Sequence, residues 1–467
     1  MQLRKKFFGT KDFYLMVLAV VVPIMIQNGI TNFVSLLDNI MVGRVGTDQM
    51  SGVAVVNQLI FVYNLCIFGG IAGAGIFTAQ FYGSGNVEGV RSTFRFKIWT
   101  IILLCILGIS VFVFQGDHLI RMYLHQDGGS GDIEATFRYA RVYLHIMYLD
   151  MIPFAITQAY AGTLRETGET MLPMKAGIAA VCVNLVFNYI LIYGKFGAPA
   201  MGVAGAAIAT VLSRFVELGI IVVWTHSHTQ KNAFIVGAFR SLKIPAALAG
   251  KIIVKGLPLL VNETLWAAGM AVMMQNYSLR GLSVIAALNI SSTISNVFNI
   301  VFIAMGNAIA IILGQQLGAG KLDTARDYAR KLICFCVLCC IASGILMSFA
   351  APFFPLMYKT EESVRHLATG IILISAVCMP MYAFENGCYF TLRSGGKTFI
   401  TFLFDSVFVW VFSIPLAFVI GHYTDLPIMQ FYLCCQMIEL VKCLIGYILV
   451  RKGIWVQNLA EATESKS

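Results

Sequence analysis

Two stretches, AQFYGSGNVEGVR at residues 79–91 and GQQLGAGKLDTAR at 314–326, place Gln, two glycines, an acid and Arg in the same order. Gln80/Gln315, Gly83/Gly318, Gly85/Gly320 and Arg91/Arg326 share one offset of 235 residues (315 − 80), and the same shift carries Pro23 onto Pro258 and Gly46 onto Gly281. A second echo follows in the same order: TLRETGET at 163–170 against TLRSGGKT at 391–398, offset by 228 (391 − 163). Two ordered echoes indicate an internal duplication whose halves differ modestly in length. Each stretch of the first pair closes a long apolar run with glycines and charges, so it reads as a helix end turning into a polar loop.

The 467 residues are 58% hydrophobic and 12% charged, with a mean hydropathy of +0.79. A soluble domain carries roughly a quarter charged residues, so the lipid bilayer is the chain's expected surroundings. Apolar runs able to cross a hydrocarbon core of about 30 Å recur at 13–42, 51–81, 95–115, 136–162, 171–193, 202–224, 252–279, 283–313, 330–352, 364–391, 399–420 and 427–449. The runs are continuously apolar. Strands of a membrane barrel would alternate instead, so the sequence predicts twelve helical spans.

Charge placement supports that count. With sides alternating at each span, one side collects Arg4, Lys5, Lys6 and Lys11, then Arg91, Arg95 and Lys97, then Lys231, Arg240, Lys243, Lys251 and Lys255. It also collects Lys321, Arg326, Arg330 and Lys331, then Arg393 and Lys397, and finally Arg451 and Lys452. The other side holds chiefly Arg44, Arg121, Lys195, Arg280, Lys359 and Arg365. The positive-inside rule then puts both termini in the cytoplasm. The net charge of +10 is spread over these loops, which argues against a nucleic-acid partner. The basic start MQLRKKFF leads into a run too long for a signal peptide, so it reads as a retained first span. The twelve cysteines lie in or beside spans without a His cluster at ligand spacing, and read as small packing residues.

Six spans per half give both halves the same orientation, so the repeat axis runs along the membrane normal. This is the plan of transporters whose path lies between two rocking bundles. The expected domains are an N-terminal six-helix lobe at 1–225, a polar linker at 226–250, a C-terminal six-helix lobe at 251–450 and a cytoplasmic tail at 451–467.

An ionisable residue at membrane depth costs about 2.5–3.5 kcal/mol on insertion scales and asks for a reason. Asp38, near the outer end of span 1, is an acid whose charge could follow conformation; an interfacial Asp solvated by water is the competing reading. Asn184 and Asn188 lie one helical turn apart, and Ala206 and Thr210 repeat that spacing on the next span. Their oxygens could surround a small hard cation beside Asp38, or serve as ordinary interhelical hydrogen bonds. In the second half, Asn262 and Glu263 follow Pro258 on span 7, where a proline frees backbone carbonyls. Glu385, beside Asn386, adds an acid to span 10, and Asp405 on span 11 reads as nearer a membrane face. Arg214 with Glu217 and Glu439 with Lys442, each three residues apart, read as neutralising pairs. Asp150 and His145 are a further possible pair. Abundant Phe, Tyr and Met would suit a cavity that holds planar organic cations.

LLDNIMVGRVGTDQMSGVAVVNQL after span 1, AQFYGSGNVEGVR, GTLRETGETMLPM before span 5 and GVAGAAIATVLSR opening span 6 resemble the MATE family, the multidrug and toxic compound extrusion transporters of the MOP flippase superfamily. With the C-terminal echoes, the resemblance covers nearly the whole chain. It implies an all-α, twelve-helix exporter with two pseudo-symmetric six-helix lobes. Inward movement of H⁺ or Na⁺ would drive alternating access and expel amphipathic, often cationic compounds. The family's N-lobe cation site maps onto Asp38, Asn184, Asn188, Ala206 and Thr210. Members with the fuller Na⁺ site carry Asp where this chain has Asn188; the missing charge leaves Na⁺ at Asp38 less well supported and leans the reading toward protons. Asn262, Glu263 and Glu385 are the candidate C-lobe cavity residues, near the family's acids on spans 7 and 10.

The resulting expectation is a monomeric antiporter of a bacterial-type inner membrane that needs no cofactor. A lipid-linked oligosaccharide flippase of the same superfamily would need more basic residues deep in the spans to meet a pyrophosphate. A membrane-embedded enzyme is disfavoured because the spans hold no HExxH, paired His or Ser/His/Asp set.

Overall fold

The computed structural model describes residues 7–124, 132–358 and 360–464; Arg4, Lys5, Lys6 and Lys359 lie outside the described residues. The twelve apolar runs form twelve long helices. In the first half these are α1 Lys11–Gly43, α2 Thr47–Gly83, α3 Val87–Tyr123, α4 Ile133–Glu166, α5 Met171–Tyr193 and α6 Val203–Ser227. In the second they are α7 Ala246–Ser278, α8 Leu282–Gly318, α9 Leu322–Ala350, α10 Glu362–Ser394, α11 Thr398–Tyr423 and α12 Ile428–Lys452. Eleven of them are long and apolar enough to cross a membrane. The other, α4, has the length at 34 residues, but charges such as Arg138, Arg141, Asp150 and Arg165 dilute its apolar character. Pro23, Pro153, Pro258 and Pro380 all sit inside helices, which membrane helices tolerate because neighbours and local adjustments satisfy the freed backbone groups.

The duplicated stretches turn out to be duplicated helix stops. After α2, Asn86 N donates to Phe81 O at 2.9 Å and Gly85 N to Tyr82 O at 3.1 Å; after α8, Lys321 N donates to Gln316 O at 3.1 Å and Gly320 N to Leu317 O at 3.1 Å. Gly85 and Gly320 adopt φ of +76° and +72°, a left-handed conformation that costs a side chain and that glycine enters freely. The second echo repeats the device: Gly168 and Gly396 have φ of +90° and +72°, with Glu169 N bonded to Leu164 O and Lys397 N to Leu392 O.

The other glycine of the first pair has a different task. A Cβ on Gly83 would lie 2.0 Å from the carbonyl oxygen of Gln315, and one on Gly318 would lie 1.8 Å from that of Gln80. Because Gln80 maps onto Gln315 and Gly83 onto Gly318, these are one contact made twice, with the two repeats exchanging roles. A local two-fold relation between these two helix ends produces that reciprocity. Hydrogen is the only side chain that fits either position.

Packing divides the chain into two compact units. One contains the chain up to Met25, Ala79–Asn86 and everything from Lys251 onward; the other contains Ile26–Thr78 and Val87–Gly250. In the first, Phe13, Val17 and Ile24 of α1 pack with Ile309, Leu313 and Leu317 of α8, together with Cys336, Cys340 and Met379. In the second, Val56, Ile60 and Ile67 of α2 pack with Leu144, Met151, Ala155 and Ala159 of α4 and with Ala206 and Ala207 of α6. Lipid removes most of the hydrophobic drive between helices, so close van der Waals fit through small residues holds them together. The cysteines follow this rule: all twelve are free, and Cys336, Cys340, Cys378, Cys388 and Cys435 are buried.

Two basic residues counted with the loops are instead built into the second unit. Helix α3 starts at Val87, eight residues before the apolar run at 95, so Arg95 and Lys97 lie within it. Arg91, Arg95 and Trp99, one turn apart, donate to the carbonyls of Phe234 (3.2 Å), Ala238 (2.8 Å) and Leu242 (3.1 Å) and so hold the linker against α3. Lys97 is fully buried, ion-paired with Glu166 and 3.0 Å from Thr163 Oγ1.

Candidate ion-coupling sites

The α5–α6 hairpin assembles the first site. Gly194 (φ +65°) stops α5 and Gly202 (φ +53°) precedes α6. Met201 N donates to Leu191 O at 2.8 Å, and a Cβ on Gly205 would lie 2.6 Å from the Leu191 carbonyl. The two helices therefore run back to back at near-backbone contact, which brings Asn184 and Asn188 of α5 beside Ala206 and Thr210 of α6. Tyr193 at the end of α5 donates its hydroxyl to Met41 O of α1 at 3.0 Å, fixing the stretch that carries Asp38.

These residues form one polar chain. Asn188 Nδ2 donates to Asp38 Oδ1 at 2.5 Å and to Asn184 Oδ1 at 3.0 Å. Asn184 Nδ2 reaches Thr210 Oγ1 at 3.4 Å, and Thr210 donates to the Ala206 carbonyl at 3.0 Å. All five residues singled out in the first half thus come together, Ala206 through its backbone. Asn188 is 1% exposed, yet its Oδ1 has no hydrogen-bond partner among the described residues. A buried acceptor left without a donor costs about 1–3 kcal/mol, so this oxygen, on the amide that holds Asp38, is one that a proton donor or a cation would stabilise.

One turn beyond Thr210, Arg214 Nη1 lies 3.0 Å from Glu217 Oε2, and its Nε lies 3.7 Å from Asp150 Oδ1. Asp150 and Glu217 are both 4% exposed. Arg214 also acts on Asp38 through space. One base therefore serves three acids. His145 does not pair with Asp150: it is exposed and faces the Arg141 carbonyl at 2.6 Å. Five residues along a helix turn about 140° from the starting face, so Asp150 points inward to Arg214 while His145 points out.

A second site has the same charge pattern. Lys442 Nζ of α12 lies 3.0 Å from Asp405 Oδ1, 3.6 Å from Glu439 Oε2 and 3.8 Å from Glu385 Oε2. Asn262, 3% exposed, donates to Asp405 Oδ2 at 3.0 Å and accepts from Ser406 Oγ at 2.7 Å. Glu385 also accepts from Cys443 Sγ at 3.6 Å. Helix α11 delivers its residues through two π-helical turns, Leu403–Val407 and Val409–Ser413. Turns of this kind are rare and concentrate at functional sites; here they present Asp405 to Lys442, Ser406 to Asn262 and Ser413 to Glu439 (3.1 Å).

Of the residues singled out in the second half, Asn262 and Glu385 join this cluster through Asp405 and Lys442. Glu263 stays partly exposed, with Arg393 and Asp405 acting on it through space. The sequence reading set Asp405 near a membrane face and Glu439 with Lys442 apart as a neutralising pair, whereas all three belong to this cluster. Asp405 is only 19% exposed along its side chain and belongs to the cluster's centre. Glu439 and Lys442 do pair at i, i+3, but the same ammonium meets two further acids. A signal was present: Arg214 and Lys442 share the repeat offset of 228 (442 − 214), each on the last helix of its half.

A family model described as MatE matches residues 23–190 and 258–419. The chain belongs to the MatE family. The family is one of membrane transporters, so the chain is a transporter and not an enzyme. It is 24% identical over 412 residues to the Probable multidrug resistance protein NorM of Thermotoga maritima, covering 87% of this chain and 85% of that protein. It is 24% identical over 413 residues to the Probable multidrug resistance protein YoeA of Bacillus subtilis, covering 87% of each. Among solved structures, an outward-facing multidrug resistance MATE family transporter superposes with a TM-score of 0.83 at 18% identity, covering 95% of this chain and 99% of that one. This MatE protein therefore has the twelve-helix fold with two related halves.

Proposed function

We propose that this MatE protein exports amphipathic, often cationic organic compounds in exchange for H⁺, with Na⁺ the alternative coupling ion. The relatives named multidrug resistance proteins support the substrate class. In this reading the lobes are 1–225 and 251–450, joined by the linker 226–250, and the protein works as a monomer. The basic loops and both termini face the cytoplasm of a bacterial-type cell, with the 451–467 tail among them.

The observation that carries the reading is the chain Asp38–Asn188–Asn184–Thr210, in which Asn188 leaves one buried acceptor unfilled. With Asp38 ionised, an acid within reach of only one shared base adds to a surplus of negative charge away from water. A proton on Asp38 relieves that surplus and supplies a second donor beside the Asn188 amide. Na⁺ seeks several oxygens and gains from a second carboxylate to offset its dehydration; Asn188 contributes none. Protonation drives a conformational change only as far as the two states differ in proton affinity; in this reading that difference comes from keeping the Asn188–Asp38 bond in one state and losing it in the other.

The test is efflux of a fluorescent organic cation from proteoliposomes under an imposed pH or Na⁺ gradient. Export driven by the pH gradient alone supports proton coupling. Export driven by Na⁺ alone, at equal pH on both sides, removes it.

A further inference from the structure

After α12 the chain turns back on itself. Gly453 takes φ of +68°, and the tail folds back within the first compact unit. Trp455 is 1% exposed, Ala460 is 1% exposed, and a Cβ on Gly395 would lie 1.7 Å from the Trp455 carbonyl oxygen. Leu459 covers Gly396, with 2.7 Å between its Cδ1 and the place of a Cβ there. The tail therefore lies on the second-echo turn that follows α10.

From there it grips Gln80. Leu459 N donates to Gln80 Oε1 at 2.7 Å, and Gln80 Nε2 donates to Ser394 O at 2.9 Å and to Gln457 O at 3.4 Å. Gln80 is fully buried, so the amide spends its donors and an acceptor on the tail and the α10 end. Asn458 Nδ2 reaches Gly318 O at 3.5 Å, the other partner in the reciprocal glycine crossing. Lys251 Nζ adds a bond to the Ala462 carbonyl at 2.9 Å.

We propose that Gln80 is a positioning residue of the transport cycle, and that the tail from Trp455 to Ala460 latches the ends of α2 and α8 together through it. The crossing at Gly83/Gln315 and Gly318/Gln80 joins a turn of the first repeat to a turn of the second. Alternating access requires those turns to separate when the basic side opens, and they separate only if Gln80 leaves Leu459, Gln457 and Ser394. The tail thereby weights the equilibrium toward the state in which the crossing is closed. This rests on the transport reading above, since a protein that did not alternate would have no use for a latch.

Hydrogen exchange of the full-length protein in nanodiscs, read by mass spectrometry, tests it without substrate or coupling ion, so its failure is separate from failure of the antiport assignment. Leu459→Pro deletes one N–H donor, and Gln80→Ala deletes all three bonds. Each is expected to speed exchange in 79–86 and 314–320 about tenfold, on the scale of one to two net hydrogen bonds, leaving 184–210 at the wild-type rate. Leu459→Ala keeps the N–H and is expected to stay near wild type. A merely structural tail would leave 79–86 unchanged in Leu459→Pro while the tail itself exchanged faster, and that result overturns the proposal.

Discussion

Asn188 Nδ2 stands 2.5 Å from Asp38 Oδ1 and 3.0 Å from Asn184 Oδ1, so one neutral amide joins the acid of α1 to the polar face of α5. Replacing that amide by a carboxylate puts two acids side by side, an arrangement that repels unless a cation lies between them. Asn188→Asp is expected to confer or raise Na⁺-driven efflux at equal pH, by about tenfold if the added charge supplies about 1.4 kcal/mol of ion affinity. Vesicle efflux against external Na⁺ concentration measures it. An unchanged Na⁺ response would mean that no ion visits the amide.

Lys442 holds three acids, and removing it leaves them uncompensated. Breaking a buried ion pair from one side costs about 3–5 kcal/mol. Lys442→Met is expected to lower thermal stability in detergent strongly, and the pair Lys442→Met with Asp405→Asn to recover a substantial part, because the second change removes the acid nearest to the lost ammonium. A double-mutant cycle on unfolding midpoints reads the coupling directly; simple additivity would show that Lys442 and Asp405 do not depend on each other.

The reciprocal glycine crossing predicts matched effects at two distant positions. Gly83→Ala and Gly318→Ala each push a methyl to within about 2 Å of a backbone carbonyl, and overpacking of this kind costs about 1–3 kcal/mol. Gly85→Ala has open space around its Cβ and pays chiefly for its left-handed φ, about 1 kcal/mol. Denaturation of the three variants should therefore rank the two crossing glycines together and above Gly85. Equal losses at all three would show that the close approach carries no weight.

Much of this was legible in the sequence, because membrane helices are written in long apolar runs and helix stops need glycine. The 235-residue offset exposes both the turn at Gly85/Gly320 and the crossing at Gly83/Gly318, although only coordinates separate the two tasks. Helical spacing puts Asn184 with Asn188 and Ala206 with Thr210 on single faces, and the family resemblance grouped both pairs with Asp38. Asp405 and Lys442 could not be grouped in this way. Glu439 satisfies Lys442 locally at i, i+3, and nothing in a linear pattern announces that α10 and α11 bring two more acids to the same ammonium, or that π-helical turns aim Asp405 inward. Asp150 was offered His145 by proximity in sequence, whereas the helix turns the two apart and Arg214 takes the acid. The apolar groove between α3 and α4, about 630 Å³ with isoleucines such as Ile98, Ile102 and Ile152 in its walls, holds none of these ionisable residues.

The most direct test of the central claim, that ion entry at Asp38 drives export, is efflux of a fluorescent cation by Asp38→Asn in proteoliposomes under a pH gradient, with substrate binding measured in parallel. The account predicts that gradient-driven efflux falls at least about tenfold, the loss expected when about 1.4 kcal/mol of coupling is removed, while the variant still binds the compound. Efflux at the wild-type rate with the gradient still required would contradict it and place the coupling acid elsewhere in the molecule.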